Sequence, residues 1–204
     1  MKLKHFLVII ILLFIFILST VLSYSSEVFA GLQDNIFRLH ILANSDSKED
    51  QHLKLLVRDA IIDYIEEINS TSTSKEETIQ NISNHLDSIQ QISQKIIQEH
   101  GFNYSISLEI GNFYFPTKYY GNISLPAGNY DALKINIGEA SGQNWWCSLF
   151  PPLCFIDISS GYLEEKDSKI LEENLSNEEF MLVSSSSPDI KLKFKILEFF
   201  HEQK

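Results

Sequence analysis

The spacing of apolar residues changes along the chain, and its first clear signal after the N-terminal segment is that of a strand. In NIFRLHILANSDS, Phe37, Leu39 and Ile41 fall on one side of an extended backbone, whereas Arg38 and His40 fall on the other. A period of two is typical of a strand whose two faces meet different surroundings. The Asn-Ser-Asp sequence that follows favours a turn and predicts the end of this strand.

Two helices are predicted after this strand from apolar residues that recur every three or four positions. The first covers residues 47–69 and opens with Ser47 and Asp50 at the spacing of a capping box. Its apolar stripe consists of Leu53, Leu56, Val57, Ala60, Ile61, Tyr64, Ile65 and Ile68. The second helix is predicted as one element from Ser74 to Gly101. Its stripe consists of Ile79, Ile82, Leu86, Ile89, Ile92, Ile96 and Ile97.

The rest of the chain reads as short strands and one more helix. Segments rich in β-branched and aromatic residues predict extended structure at 104–115, 119–125, 132–137 and 155–158. Residues 164–180 predict a helix, and the alternation of apolar residues with lysine in 190–196 predicts a final strand with one dry face. Together these elements indicate a single α+β domain whose mainly antiparallel sheet is covered by helices.

The N-terminus has the pattern of an export segment. Lys2 and Lys4 precede an uncharged apolar run of 17 residues, 6–22, and Val28-Phe29-Ala30 resembles a small-residue cleavage site. At about 1.5 Å per residue the run spans roughly 25 Å, slightly less than a hydrocarbon core of about 30 Å. Residues 1–30 are therefore either a cleaved signal peptide or a membrane anchor, and residues 31–204 form the exported domain.

The charge of the exported domain narrows its possible partners. Without Lys2, Lys4 and Glu27, the chain has 14 basic and 26 acidic residues, a net charge near −12. Nucleic acids and anionic lipid surfaces are bound by clustered lysine and arginine, so this excess of acid disfavours both. We expect a protein partner, with membrane contact through residues 6–22 if the segment is not cleaved.

The segment QNWWCSLFPPLCF, residues 143–155, is unusually aromatic for an otherwise polar chain. It contains the only two cysteines, Cys147 and Cys154, which in an oxidising compartment would form a local disulfide worth about 2.5 kcal/mol. Two buried free thiols are the alternative, and no histidine lies near enough in sequence to suggest a metal site. Trp145 and Trp146 are candidates for partner contact, with a role in the core as the alternative.

Catalytic machinery is not evident in the sequence. Cys147, His40 and Asn44 are the residue types of a thiol hydrolase, but any chain with two cysteines and six histidines offers such a set. No glycine-rich phosphate loop or other cofactor motif occurs. We therefore expect a protein that is not an enzyme, with a secreted hydrolase acting on the cell wall or through a thiol as the alternative.

Two stretches, RLHILANSDSKEDQHLKLLVRDAI (38–61) and LPAGNYDALKINIGEASGQNWWCSLFPPLCF (125–155), resemble the stage II sporulation protein R family of endospore-forming bacteria. Together with the export segment, the resemblance spans nearly the whole exported domain. It implies a protein made in the forespore, exported into the space between two membranes, and active there as a signal.

The resemblance also implies a partner and a task. Members of the family activate a membrane-embedded aspartic protease of the mother cell, which then cleaves the pro-form of sigma-E. For this chain the candidate contacts are Trp145 and Trp146, together with Arg38, His40 and Asn44 at the end of the first predicted strand.

Overall fold

The structure is a computed structural model that describes residues 2–120, 123–154 and 165–184. Its helices are α1 (Lys2–Asp34), α2 (Lys48–Asn69), α3 (Lys75–Asn84), α4 (Leu86–Glu99), α5 (Glu165–Asn174) and α6 (Asn177–Ser184). Its strands are β1 (Phe37–Leu42), β2 (Ile106–Phe115), β3 (Lys118–Tyr120), β4 (Ile123–Leu125), β5 (Gly128–Ile137) and β6 (Asn144–Phe150). The predicted extended segments at 155–158 and 190–196 lie outside the described residues.

The central sheet has four strands in the order β2-β5-β1-β6. β1 pairs in parallel with β5, whereas the β1–β6 and β2–β5 pairs are antiparallel. β3 and β4 form a separate antiparallel hairpin. The predicted α+β fold with a mainly antiparallel sheet and helices packed on it is thereby confirmed.

One face of the sheet packs against the three helices α2, α3 and α4. Phe37, Leu39 and Ile41 of β1 lie on this face and are fully buried among the apolar stripes predicted from the sequence. β5 contributes Leu133, Ile135 and Ile137 to the same core. The alternation read in β1 therefore predicts the correct inward face, because burial of alternate residues requires one register.

The other face carries a second, smaller core. It is formed by the end of α1, the β3–β4 hairpin and the helices α5 and α6. Its buried members are Leu32, Ile36, Phe115, Tyr120, Ile123, Leu125, Tyr130, Ala132, Leu153, Leu171, Leu175 and Val183. Arg38 of β1 lies on this face and has no exposed surface.

Helix α1 connects the apolar N-terminal segment to this second core. Residues Leu3–Asp34 are long and apolar enough to cross a membrane, and the most apolar part of the helix has no buried residues. Its last turns differ, since Leu32 is fully buried and the Asp34 carbonyl accepts a 2.8 Å hydrogen bond from Lys75 Nζ. The N-terminal segment thus has the length and composition of a signal or anchor helix, and its end packs into the folded domain.

Two predicted helices are each divided in two. The helix expected from Ser74 to Gly101 breaks at His85, whose backbone angles of φ −116° and ψ 13° are not helical. The His85 ring Nδ1 lies 2.7 Å from the Asn81 carbonyl, and the His85 backbone N–H donates to the Ile82 carbonyl.

The helix predicted for 164–180 divides at Ser176. There, the Ser176 N–H donates to the Glu179 carboxylate at 2.8 Å, and the Glu179 N–H donates to Ser176 Oγ at 3.2 Å, as in a capping box.

The strands also differ from expectation. The aromatic segment around the cysteines, in which the sequence predicted no strand, contains strand β6, Asn144–Phe150, which pairs with β1. The predicted strand 132–137 begins earlier, at Gly128. The sequence signals were weak in both places, because glycine, asparagine and cysteine-proline clusters favour turns unless a neighbouring strand supplies pairing partners.

A buried carboxylate joins the end of β1, the start of α2 and the turn between β5 and β6. Asp50 is 4% exposed and accepts hydrogen bonds from Asn44 Nδ2 at 2.8 Å and Ser45 Oγ at 2.6 Å. The Asp50 N–H donates to the N-cap Ser47 at 3.1 Å. Asn44 Oδ1 in turn accepts from the Glu139 N–H at 3.0 Å. The neighbouring Gly138 has φ 57°, and a Cβ there would collide with Asn44.

We expect Asp50→Asn to lower the free energy of unfolding by about 2 kcal/mol, because the new amide N–H₂ faces donors instead of accepting from them. Burial raises the pKa of Asp50, but the hydrogen bonds from Ser45, Asn44, Tyr104 and Ser47 outweigh it and hold the pKa below 3.8. The stabilisation is therefore present above pH 3.8 in the wild type and is lost as the pH falls through the folded pKa.

Urea unfolding at several pH values measures both effects. The exposed Asp63→Asn on the same helix is the matched control, with an expected change of less than about 0.5 kcal/mol. Equal free energies of unfolding for Asp50→Asn and the wild type at neutral pH would contradict the view that the hydrogen bonds of Asp50 stabilise this junction.

Candidate functional site

The adjacent tryptophans of β6 lie on opposite faces of the sheet. Trp145 pairs with Ile41 and lies beside the first core, whereas Trp146 pairs with His40 on the other face. Both side chains are partly exposed. Among the described residues β6 is an outer strand of the sheet, so these two residues lie on either side of an edge that no described strand covers.

Trp146 lies between two basic side chains. The His40 ring stacks on it with centroids 5.5 Å apart and an interplanar angle of 22°. His40 Nε2 also lies 2.8 Å from Asn144 Oδ1. From the hairpin, Lys118 Nζ approaches within 3.6 Å of the Trp146 ring centroid, a cation–π geometry. Burial lowers the pKa of Lys118, and the nearby Arg38 lowers it further.

Arg38 is a buried cation surrounded by aromatic rings. Its guanidinium carbon lies 4.2 Å from the Phe115 ring centroid and 5.1 Å from that of Tyr130, and Nη2 donates to the Tyr120 hydroxyl at 3.1 Å. Burial raises the pKa of Tyr130 to about 12. No described carboxylate forms a salt bridge with Arg38, and its Nε and Nη1 make no hydrogen bond. The face therefore keeps a positive charge that the described part of the domain does not neutralise.

A groove of about 420 Å³ follows the outer edge of β6. We call it the edge groove, and its walls include Arg58, Lys118, Tyr120, Trp145, Trp146 and Cys154. On its α2 side the Arg58 guanidinium carbon lies 5.1 Å from the Trp145 ring centroid, and Arg58 also pairs with Asp59 at 2.6 Å. Each tryptophan is thus held by a cation from a different element.

A disulfide closes the end of the edge groove. Cys147 and Cys154 are bonded, with their Cα atoms 5.2 Å apart. The loop they close turns back on β6, so that the N–H groups of Leu153 and Cys154 donate to the Ser148 carbonyl at 3.0 and 3.1 Å. Of the two alternatives left open by the sequence, the structure has the paired cysteines, a feature typical of extracytoplasmic proteins.

The three residues of the hypothetical thiol hydrolase do not come together. Cys147 is in the disulfide and belongs to the first core, whereas His40 lies on the opposite face of the sheet. Asn44 is engaged with Asp50 and Glu139 at the end of β1. A nucleophile and its base must be within hydrogen-bonding reach, so this arrangement does not support thiol catalysis.

Arg38, His40 and Trp146 share one face of the sheet, whereas Trp145 lies on the opposite face and Asn44 lies in the turn after β1. Sequence reasoning missed Arg58, Lys118 and Tyr120, which complete the edge groove. Each is distant in sequence from β6, and only the packing of α2 and the hairpin brings them there. The isolated lysine in the aromatic stretch FYFPTKYY was the one available signal for Lys118.

We expect acid to destabilise the domain through His40. Burial lowers the His40 pKa below 6.5, and Lys134 and Arg38 lower it further, against the raising effect of the Asn144 hydrogen bond. As the pH falls through 6.5, His40 becomes protonated in the unfolded chain but stays neutral in the folded domain. The free energy of unfolding therefore decreases with falling pH until the pH passes the pKa of His40 in the folded domain. Urea unfolding at pH values from about 7.5 to 5 measures this, and His40→Gln should flatten the dependence. The exposed His52→Gln serves as the control, and an unchanged slope in His40→Gln would refute the assignment.

When the denatured, unreduced protein is treated with an alkylating agent, its mass should not change, because Cys147 and Cys154 are bonded to each other and neither can react. Reduction should then lower the free energy of unfolding by about 2 to 3 kcal/mol, because the closed loop restricts the unfolded chain. The double variant Cys147→Ser/Cys154→Ser is the matched control, since reduction should not change its stability. Two alkylated cysteines in oxidised protein would be the contrary result.

Comparisons with known proteins agree on one family. The profile described as Stage II sporulation protein R (spore_II_R) matches residues 33–160. The Stage II sporulation protein R of Bacillus subtilis (strain 168) is 45% identical over 139 residues, which cover 68% of this chain and 62% of that protein. The match therefore spans less than two thirds of that relative's length, and no solved structure matches. The matched region contains β1 to β6, the edge groove and both cysteines, and it shows that this chain belongs to the stage II sporulation protein R family.

Proposed function

We propose that this protein is a secreted or membrane-anchored sporulation signal that activates the mother-cell membrane-embedded aspartic protease responsible for cleaving pro-sigma-E. The observation that carries the proposal is the family match over residues 33–160, directly behind a helix able to cross a membrane. The disulfide supports export, because such bonds persist in oxidising compartments. The forespore is the source, and the space between the two membranes is the site of action.

The edge groove is the contact surface in this proposal. Tryptophan and arginine are the residues that contribute most to binding when they are anchored at an interface, and here each tryptophan has a cation against its ring. His40 stacks on Trp146 and fixes its position, whereas Arg38 lies buried on the same face and contributes its charge. Asn44 contributes by bracing the end of β1 rather than by direct contact.

Activation follows from unequal binding to two states of the protease. A ligand that shifts a population from 1:99 to 99:1 must bind the active state about 10⁴-fold more tightly, a difference of about 5.5 kcal/mol. Two tryptophan contacts of roughly 2 kcal/mol or more each supply most of this difference if they form only with the active state. If α1 remains as an anchor, tethering to the membrane raises the effective concentration of the domain without any new contact.

Reconstitution tests the proposal directly. Pro-sigma-E, the protease in membranes and the full chain are combined, and cleavage of pro-sigma-E is followed with time. We expect Trp145→Ala and Trp146→Ala each to reduce cleavage about tenfold or more, because each removes an anchored aromatic contact. Unfolding curves establish that the variants fold, and fractionation of sporulating cells establishes that they are still exported.

Tyr114→Ala is the matched control. Tyr114 is a 67% exposed aromatic residue on β2, at the opposite edge of the sheet, and its removal should leave cleavage unchanged. Failure of the wild-type chain to stimulate cleavage would end the proposed function. Normal cleavage with both tryptophan variants would remove the contact surface and leave the function in place.

A further inference from the structure

We propose that the edge groove binds an extended, acidic segment of the partner protein, which adds as a strand to the free edge of β6. The inference rests on the proposed function for the identity of the partner, and it specifies how that partner is recognised. Strand addition to an exposed sheet edge is a general mode of peptide binding, in which backbone bonds provide affinity and side-chain pockets provide selectivity.

The backbone of β6 has an unused side. Among the described residues, β6 pairs only with β1, and it ends the order β2-β5-β1-β6. The Ser148 carbonyl bonds to Leu153 and Cys154 rather than to β1, so it points away from the sheet. Outward and inward groups alternate in an antiparallel pair, which places the N–H and C=O groups of Trp146 and Asn144 outward as well.

The open part of the edge is short and has defined ends. At its start β6 begins at Asn144, and the preceding Gln143 has left the ladder, because its carbonyl accepts a 3.0 Å hydrogen bond from Lys54 Nζ and its N–H donates to Asp46 at 2.7 Å. At its end the disulfide loop occupies the Ser148 carbonyl. Residues 144–147 remain between these ends. At about 3.4 Å per residue they give a docking edge of roughly 14 Å, enough for a short strand and too short for open-ended aggregation.

The positive charge beside this edge favours a partner strand that contains Asp or Glu. Lys118 forms no salt bridge with a described carboxylate, and the buried Arg38 beside it has no described counter-charge. The Trp146 indole Nε1 is also buried without an acceptor. Arg58 is paired with Asp59, so the unpaired charge that lines the edge groove is that of Lys118, with the buried Arg38 beside it. A strand bearing Asp or Glu complements Lys118, whereas a basic strand does not.

The experiment uses the full chain in nanodiscs and overlapping synthetic peptides from the extracytoplasmic segments of the protease. We expect an acidic peptide to bind, and Lys118→Glu to weaken its binding about tenfold, whereas exchange of the peptide's acidic residue for lysine should restore binding to Lys118→Glu. Lys95→Glu is the matched control. Lys95 is 73% exposed on α4, away from the edge groove, and should change the affinity by less than about twofold.

Amide hydrogen exchange distinguishes strand addition from side-chain docking. The bound peptide should slow exchange at the Trp146 and Asn144 amides, whereas the Trp145 and Cys147 amides, which face β1, should already exchange slowly without it. Binding without protection of Trp146, or binding that is equal in Lys118→Glu and Lys95→Glu, would overturn the inference. So would protection of Trp146 by self-association of the chain alone, or a Lys118-dependent binding to anionic phosphatidylglycerol vesicles in place of the peptide.

The cleavage assay separates this inference from the proposed function. If wild-type protein stimulates cleavage of pro-sigma-E and Lys118→Glu stimulates it equally, strand addition is wrong and the function stands. If the wild type fails to stimulate cleavage, the proposed function is wrong, and any binding of acidic peptides is then judged by the exchange measurement alone.

Discussion

The pairing of β6 with β1 is the constraint on which the rest of this structure depends. β1 is an inner strand with one apolar face and one cationic face, and each residue of β6 takes the face of the β1 residue it meets. That register places Trp145 with the helical core and Trp146 with the cations, and it directs Cys147 inward to the disulfide. A shift by one residue would exchange these positions, so the edge groove exists only in this register.

Arg38 is unusual because it is a buried cation without a described carboxylate partner. Burying a guanidinium without a carboxylate is costly, and here one hydroxyl and two aromatic faces compensate only in part. The same lack of neutralisation leaves a buried positive charge beside Lys118 of the edge groove, in a strongly acidic domain. We interpret this cost as the reason that the second face suits recognition, since uncompensated charge beside a groove favours a partner that brings the opposite charge.

The N-terminal helix and the disulfide lie next to the surface that we propose for recognition. The last turns of α1 pack into the second core through Leu32, so the membrane segment and the cationic face belong to the same part of the molecule. The disulfide holds the loop that limits the open edge of β6. In the functional scheme proposed here, anchoring, edge length and charge all act on one surface, which fits a signal that works by contact.

Much of this architecture follows from local patterns in the sequence. The period of two in β1, the three-and-four stripe of α2 and its Ser47 cap predict their elements because burial and capping act over a few residues. The export helix and the proximity of the two cysteines are equally local. The breaks at His85 and Ser176 were missed, because they rest on side-chain bonds that compete with an otherwise continuous apolar stripe.

The site itself was only half determined by the sequence. Arg38, His40, Trp145 and Trp146 could be named from residue type, but not the face that each occupies relative to the others. Lys118 and Arg58 reach the edge groove from elements far away in the chain, and the strand character of 144–150 depends on β1 being alongside. Sequence alone determined the apolar N-terminal helix, most of the other elements and the candidate residues, because these depend on composition and local spacing. Only the tertiary structure decided which cations meet which aromatic rings, because long-range pairing and packing are not encoded in any single segment.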